Sequence, residues 1–354
     1  MSGGGPGLIF PDWPAPVGVR AAFTLRTGGV SAAPYDSLNM GAAIGDSPEA
    51  VAENRRRVGE ALRLPGEPGW LEQVHGTHVV ALGGGGTGVS VGDDAGLVGA
   101  AELGAAGAPT RLGGVTAVAV AGAVPKADAS VVAVSGAVPS GGASVVAAAG
   151  AVPSGDASAV AVSGAVPSGD ASAVAVSGAV PSGDASVVAA AGAVAKGDAS
   201  VAWGPGLVCA IRVADCMPVL FAARDGSAVG AAHAGWRGLA GGVLEATVER
   251  LGVPASQLIA WMGPAIGQAN FEVGDDVRTA FMATDPGAAS AFVPNARGRW
   301  QCDLYALGRR RLAAMGVAGV YGGGWCTFAE SERFFSFRRN AQTGRMAALI
   351  WIES

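Results

Sequence analysis

Residues 207–238, LVCAIRVADCMPVLFAARDGSAVGAAHAGWRG, read as three short apolar strands separated by polar turns and followed by a helix start. Leu207–Val213 and Val219–Ala222 flank an Ala-Asp-Cys turn, and Ala228–Ala232 follows Arg-Asp-Gly-Ser. Apolar runs of this length, rich in β-branched residues and bounded by turn signals, are the pattern of buried strands. Gly238–Leu251 then reads as a helix. Cys216 and His233 therefore fall at strand ends, where side chains converge as the chain reverses.

The chain has three histidines and four cysteines. His75 lies in Q-V-H-G, beside a third strand-like run, Leu71–Leu82. One thiolate and two imidazoles form a zinc set, and three protein ligands leave the fourth position for water or substrate, as in catalytic sites. His75, Cys216 and His233 are the candidate ligands, with copper as the alternative ion. His78 is the runner-up ligand. In a strand it points away from His75.

Net charge is −5 over 354 residues, which argues against a broad nucleic-acid surface. The first residues have neither a basic start nor an apolar core, so no export signal is expected. No apolar run is long enough to suggest a membrane span. The cysteines show no close-spaced pairing, and a cytoplasmic protein with reduced thiols is the expectation. Cys209 reads as a small buried hydrophobe; Cys302 and Cys326 have no evident partner.

The middle of the chain is repetitive. Counting back from Asp198, G-D-A-S recurs at Asp184, Asp170 and Asp156, and the register continues through Gly142 and Asp128 in steps of 14 residues. Each unit reads as a Pro-Ser-Gly-Asp turn with a short Ala/Val strand. Such units bury little apolar area, so residues 83–194 are expected to be an inserted surface expansion, loosely ordered or built of weak hairpins. A small stacked-strand module is the alternative. One carboxylate per unit falls far short of a calcium site. Without the insertion, 1–82 and 195–354 have the length of one ordinary domain. Strands are expected at 17–25, Leu258–Met262, Val317–Tyr321, Phe334–Arg338 and Met346–Ile352, with helices at 48–63, Gly274–Met282 and Asp303–Met315. The class is α+β.

Further strings carry a resemblance: T-L-R-T-G-G-V-S (24–31), Y-D-S-L-N-M-G (35–41), N-R-R-R-V (54–58), Q-V-H-G-T (73–77), V-A-D-C-M-P-V (213–219), H-A-G-W-R-G-L (233–239), G-P-A-I-G (263–267), F-E-V-G (271–274), F-F-S-F-R-R (334–339) and T-G-R-M-A (343–347). In this order they resemble the family known as laccase-domain or multicopper polyphenol oxidases, also described as broad-specificity purine nucleoside phosphorylases and peptidoglycan editing factors. Residues 83–194 depart from it. The resemblance implies a layered α/β/β/α sandwich and zinc on His75, Cys216 and His233. It also implies phosphorolysis of adenosine, inosine, guanosine and methylthioadenosine, with adenosine deamination.

Phosphorolysis needs an anion seat, for which guanidinium groups are suited. Arg26 beside Gly28-Gly29, and Arg237 at a helix start, are the phosphate candidates. Arg26, Asn39, Asp215 and Cys216 make the candidate catalytic set. Asn39 is equally readable as an Asx-turn residue. Asp215 is a possible hydrogen-bond partner for a ligand histidine, and Trp236 reads as either a base-stacking or a core residue. The expected partners are a purine nucleoside and phosphate. Three alternatives stand beside this reading. One is a Cys216/His233 hydrolase acting on an amide or peptidoglycan precursor. Another is a copper phenol oxidase, for which three histidines are too few. The third is a self-associating Ala/Val array on a vestigial enzyme.

Overall fold

In a computed structural model, the described residues are 5–82 and 194–353, together with short strands between residues 89 and 190. The chain divides into two compact units: residues 1–92 with 194–354, and residues 93–193.

The first unit is a mixed α and β fold built on two sheets. Leu8–Ile9, Val19–Thr24, Met346–Ile352 and Val208–Val213 form a four-stranded sheet in that spatial order. A seven-stranded sheet runs Gly319–Gly322, Leu258–Met262, Met217–Ala223, Val229–Ala234, Ala199–Ala202, Val79–Leu82, Val89–Ser90. The chain crosses from one sheet to the other at Ala214-Asp215-Cys216, where Asp215 takes φ +91°. Met217–Ala223 then pairs antiparallel with Val229–Ala234.

Alternation along Met217–Ala223 sorts its side chains. Met217, Val219, Phe221 and Ala223 pack into a cluster with Leu239, Leu244, Phe281 and Leu307 from the helices. Leu220 and Ala222 point the other way, into a cluster with Ile211, Val213, Ala348 and Ile350 of the four-stranded sheet. The opposite face of that sheet, Val208, Ala210 and Leu349, packs with Val58 of the helix Pro48–Leu62. Both faces of both central strands are thus apolar, and full burial of such side chains contributes about 1.5–3 kcal/mol each. Ser47 caps the Pro48–Leu62 helix, its hydroxyl accepting from the Ala50 amide at 3.2 Å, with Pro48 at the first helical position.

Three expected elements differ. The 238–251 helix is two helices, Trp236–Gly241 and Val243–Leu251, broken at Gly242, whose φ of +101° is the left-handed conformation glycine tolerates. The Leu71–Leu82 strand shrinks to Val79–Leu82, because the amides of residues 74–76 bind a carboxylate instead of a neighbouring strand. Residues 334–338 form no strand. Consecutive Phe334, Phe335 and Ser336 are all buried, which a one-sided strand does not permit, and Arg339 gathers the carbonyls of Thr327, Phe328 and Phe334.

In the second unit the described strands do not form hairpins from unit to unit. Arg111–Leu112 pairs antiparallel with Val115–Ala121, and from there on each strand runs parallel to the next at a fixed 14-residue offset: Val132 opposite Val146, Val146 opposite Val160, Val160 opposite Val174, Val174 opposite Val188. The repeated Asp128, Asp156, Asp170 and Asp184 lie outside the described residues. Deleting 111–194 removes six whole steps and joins Thr110 to Ala195, ahead of the Ala199–Ala202 strand. The deleted protein is expected to keep the thermal midpoint and metal content of the full chain. A folded, soluble deletion variant that fails to load metal would show that the array supports the site.

Candidate metal centre

Each element places one donor. His233 lies near the end of Val229–Ala234, and Cys216 immediately precedes Met217–Ala223, its paired neighbour. His75 comes from the loop before Val79–Leu82, with φ +62°, a left-handed conformation uncommon for a side-chain-bearing residue. One donor atom from each of His75, Cys216 and His233 lies within 4.8 Å of the others. The two rings meet edge to face with centroids 4.7 Å apart. Among the described residues this is the one cluster of three such donors. A thiolate and two imidazoles converging from three directions fit a zinc-type ion.

The carboxylate that organises the cluster is Asp198, from the last G-D-A-S of the array. It is fully buried. Its Oδ1 lies 2.9 Å from His233 Nδ1 and accepts from the His75 amide at 2.9 Å. Its Oδ2 accepts from the amides of Gly76 at 2.6 Å and Val74 at 3.3 Å. One side chain therefore bends the His75 loop into place and orients His233. A carboxylate on one ring nitrogen assigns the other nitrogen to the metal side. Sequence reasoning proposed Asp215 for this role and treated Asp198 as one more repeat residue. Asp215 instead accepts from Thr327 Oγ1 and the Arg338 amide, both at 2.6 Å, and so anchors the sheet-crossing corner to the 327–338 segment.

Electrostatics follow from this packing. Burial alone pushes the Cys216 thiol up, but His233 and His75 outweigh it and bring it down to about 6. Burial works to lower His233, yet the Cys216 thiolate and Asp198 raise it to about 9. For Asp198 the burial penalty is overcome by His233 and the Gly76 and His75 amides, leaving it below the usual carboxylate range. Cys216 and His233 each favour the charged form of the other, against the effect of burial. Cys209 and Cys302 are different, each pushed up to about 12 by burial. Cys326 is half-buried and accepts from the Gly267 amide and Asn270 Nδ2 at 3.2 and 3.3 Å. His78 is outside the donor cluster, and its carbonyl accepts from the amides of Asp198 and Ala199.

The cluster opens into a cavity of about 730 Å³. Trp236 and Arg237 line it, with Arg237 stacked over the Trp236 ring at 4.4 Å. The helix they begin has only six residues, which leaves little macrodipole for an anion. Arg26 does not line the cavity. Its guanidinium donates to the Asp36 and Ser331 carbonyls and pairs with the Asp36 carboxylate at 3.1 Å, so its donors are turned inward to a loop. Asn39 is fully buried, with no cavity face. Its Oδ1 accepts from the amides of Gly41 and Arg345, both at 2.8 Å, and its Nδ2 donates to Asp46. Asn39 is thus an Asx-turn residue that also fixes the start of the last strand. Arg55, Arg212, Arg338 and Arg345 line the cavity and were not singled out from sequence. The available signal was Arg212, a lone charge inside an otherwise apolar strand.

Gly235 is needed for space. A Cβ there meets Cys216 Sγ at 2.9 Å and the His75 ring at 3.4 Å, while its φ of −64° suits any residue. Gly235→Ala is expected to fold normally but to displace the thiolate and lower the bound-metal stoichiometry. Metal analysis alongside a thermal melt checks this; full metal content in the variant contradicts it.

The family model described as multi-copper polyphenol oxidoreductase laccase matches residues 20–139 and 165–353. Among curated proteins, the chain is 40% identical over 348 residues to purine nucleoside phosphorylase PA4543 of Pseudomonas aeruginosa, covering 98% of each. It is 37% identical over 345 residues to purine nucleoside phosphorylase YfiH of Escherichia coli, again covering 98% of each. Among solved structures, Neisseria meningitidis protein NMB0706 matches with TM-score 0.65 and 34% identity, covering 98% of this chain and 100% of that one. YlmD from Geobacillus stearothermophilus matches with TM-score 0.63 and 26% identity, covering 97% and 94%. With the three-donor centre standing on strings that this family model spans, the chain belongs to the multi-copper polyphenol oxidoreductase laccase family, whose curated relatives here are named purine nucleoside phosphorylases.

Proposed function

We propose that the protein is a zinc-dependent purine nucleoside phosphorylase acting on adenosine, inosine, guanosine and methylthioadenosine, with adenosine deamination at the same centre. The observation that carries the reading is the His75–Cys216–His233 cluster lining a cavity large enough for a nucleoside. Names given to relatives at 37–40% identity support the reaction class. The α/β/β/α layering, with the 14-residue repeats as an insertion in one catalytic domain, belongs to the same proposal.

His75, Cys216 and His233 would hold the ion. When bound, zinc supplies Lewis acidity to an oxygen presented at its open position. The chain's own residues do the rest. Asp198 keeps the His233 Nδ1 proton and thereby the ring's orientation. Trp236 offers a flat apolar face to a base. Arg237, exposed at the cavity edge over that ring, offers a guanidinium to phosphate. Asp215 holds the Arg338 segment against the corner.

The testing experiment is metal analysis of the purified protein with an assay for free purine and ribose 1-phosphate. About one zinc per chain and strictly phosphate-dependent purine release are expected. Equal release without phosphate would make the protein a nucleosidase.

One observation favours a second reading. The depressed Cys216 thiol, His233 and Asp198 are connected in the order nucleophile, base and orienting carboxylate. A thiol hydrolase built this way needs no metal, so chelation separates the two readings.

A further inference from the structure

Three arginines line the cavity wall without a carboxylate partner. Several arginines elsewhere are paired: Arg56 and Arg57 with Glu53, Arg310 with Asp285, Arg333 with Glu330. Arg55, Arg212 and Arg345 are half-buried, and among the described residues none of them forms an ion pair. Their protein contacts are carbonyl oxygens that hold each stem without neutralising its charge. Arg55 donates from Nε and Nη2 to the Met40 carbonyl and lies over the Trp70 ring at 4.2 Å. Arg212 donates from Nη2 to the Leu71 carbonyl, and its Nε is buried with no partner among the described residues. Arg345 donates from Nη1 to the carbonyls of Thr343 and Gly344.

The three also feel one another. Burial lowers Arg55 to about 10, with Arg212 as the next cause. Burial lowers Arg212, followed by Arg345. Arg345, lowered by burial, is in turn steadied first by the Cys216 thiolate. All three line the same cavity as Cys216. Glu67 acts on Arg55, and the Cys216 thiolate and Asp215 act on Arg345, but none of these is in ion-pair contact; gathering half-buried like charges is costly, and a bound anion offsets that cost. Their placement is also built in: Asn39 fixes the Arg345 backbone, and the Gln73 side chain holds both backbone groups of Arg212 at 2.9 Å.

We propose that Arg345, Arg212 and Arg55 form the seat of a phosphate dianion on the wall of the cavity that the metal centre also lines, the role that sequence alone gave to Arg26 and Arg237. This deepens the phosphorylase reading, on which it rests, by assigning the co-substrate's place. Guanidinium forks suit a tetrahedral oxyanion because each offers paired donors, whereas a lysine offers a point charge.

The test uses inorganic phosphate and the intact, metal-loaded chain. Phosphate binding is measured by equilibrium dialysis, apart from any turnover. The wild-type protein is expected to take up about one phosphate per chain. Arg212→Gln and Arg55→Gln are each expected to weaken binding about 10- to 100-fold, the loss of a charge-assisted contact. Arg212→Lys should recover part of that loss by restoring charge without the fork. Arg20→Gln, on an exposed pair with Glu353, should bind as the wild type does. Metal content and thermal midpoint report whether each variant is folded. If Arg212→Gln fails to fold, Arg55→Gln, on an independent helix, carries the test. Wild-type phosphate affinity in folded Arg55→Gln and Arg212→Lys overturns the seat. Phosphate held by the three arginines without phosphate-dependent purine release leaves the seat standing and removes the phosphorylase. Phosphate-dependent release with an unchanged phosphate KM in the variants does the reverse.

Discussion

Asp198→Ala is expected to lower metal affinity about 10- to 100-fold, the usual consequence of removing the carboxylate behind a ligand histidine. It should also destabilise the protein by about 3–5 kcal/mol, because one partner of a buried charged pair is removed. The reason is the density of its contacts. The amides of Val74, His75 and Gly76 and the His233 ring all converge on this one carboxylate. Alanine leaves those donors unpaired and frees the loop that carries His75. Asp198→Asn keeps the volume but turns an NH₂ group toward donors, so it should fail in the same direction. The measurements are a zinc-competition titration and a urea midpoint. Unchanged metal affinity in either variant would show that the His75 loop holds its shape independently of Asp198.

Cys216→Ala and His233→Ala are expected to abolish stoichiometric zinc and, with it, phosphorolysis and deamination. Two remaining ligands do not close a tetrahedral site, and apparent zinc affinities of about 10–16 kcal/mol arise only from a full set. Cys216→Ala is the cleaner variant. It removes one sulfur from a half-buried position, whereas His233→Ala also strips Asp198 of its partner. The wild-type protein treated with chelator should lose activity in parallel and regain it when zinc is returned. Full activity after chelation, lost only in Cys216→Ala, would sink the metal reading and leave the thiol hydrolase.

Much of the fold was legible because its signals are local. Apolar runs bounded by turns located Val208–Val213, Leu258–Met262 and Met346–Ile352, and Ser47-Pro48 marked a helix start. Two of the failures share one cause, a long-range polar contact that overrides local pattern. Residues 71–78 alternate well enough for a strand, but the Asp198 carboxylate takes their amides. Residues 334–338 are aromatic enough for a strand, but Arg339 takes the Phe334 carbonyl together with those of Thr327 and Phe328. Gly242 was readable as a helix interior until its left-handed backbone ended one helix and began another.

Residue type and order alone determined that Cys216 and two histidines were the unusual donors of this chain, that Cys216 and His233 stand at strand ends, and that the middle repeats every 14 residues. Those are properties of composition and of spacing along the chain. The tertiary structure alone decided which carboxylate serves His233 and which arginines face the cavity. Asp198 and His233 are 35 residues apart in sequence, and Arg55 and Arg345 come from opposite ends of the chain. Their charges act through space and through burial, and neither distance nor burial is written in the local sequence. Arg26 illustrates the point: its neighbouring glycines suggested an anion seat, but the fold brings the Asp36 carboxylate to it first.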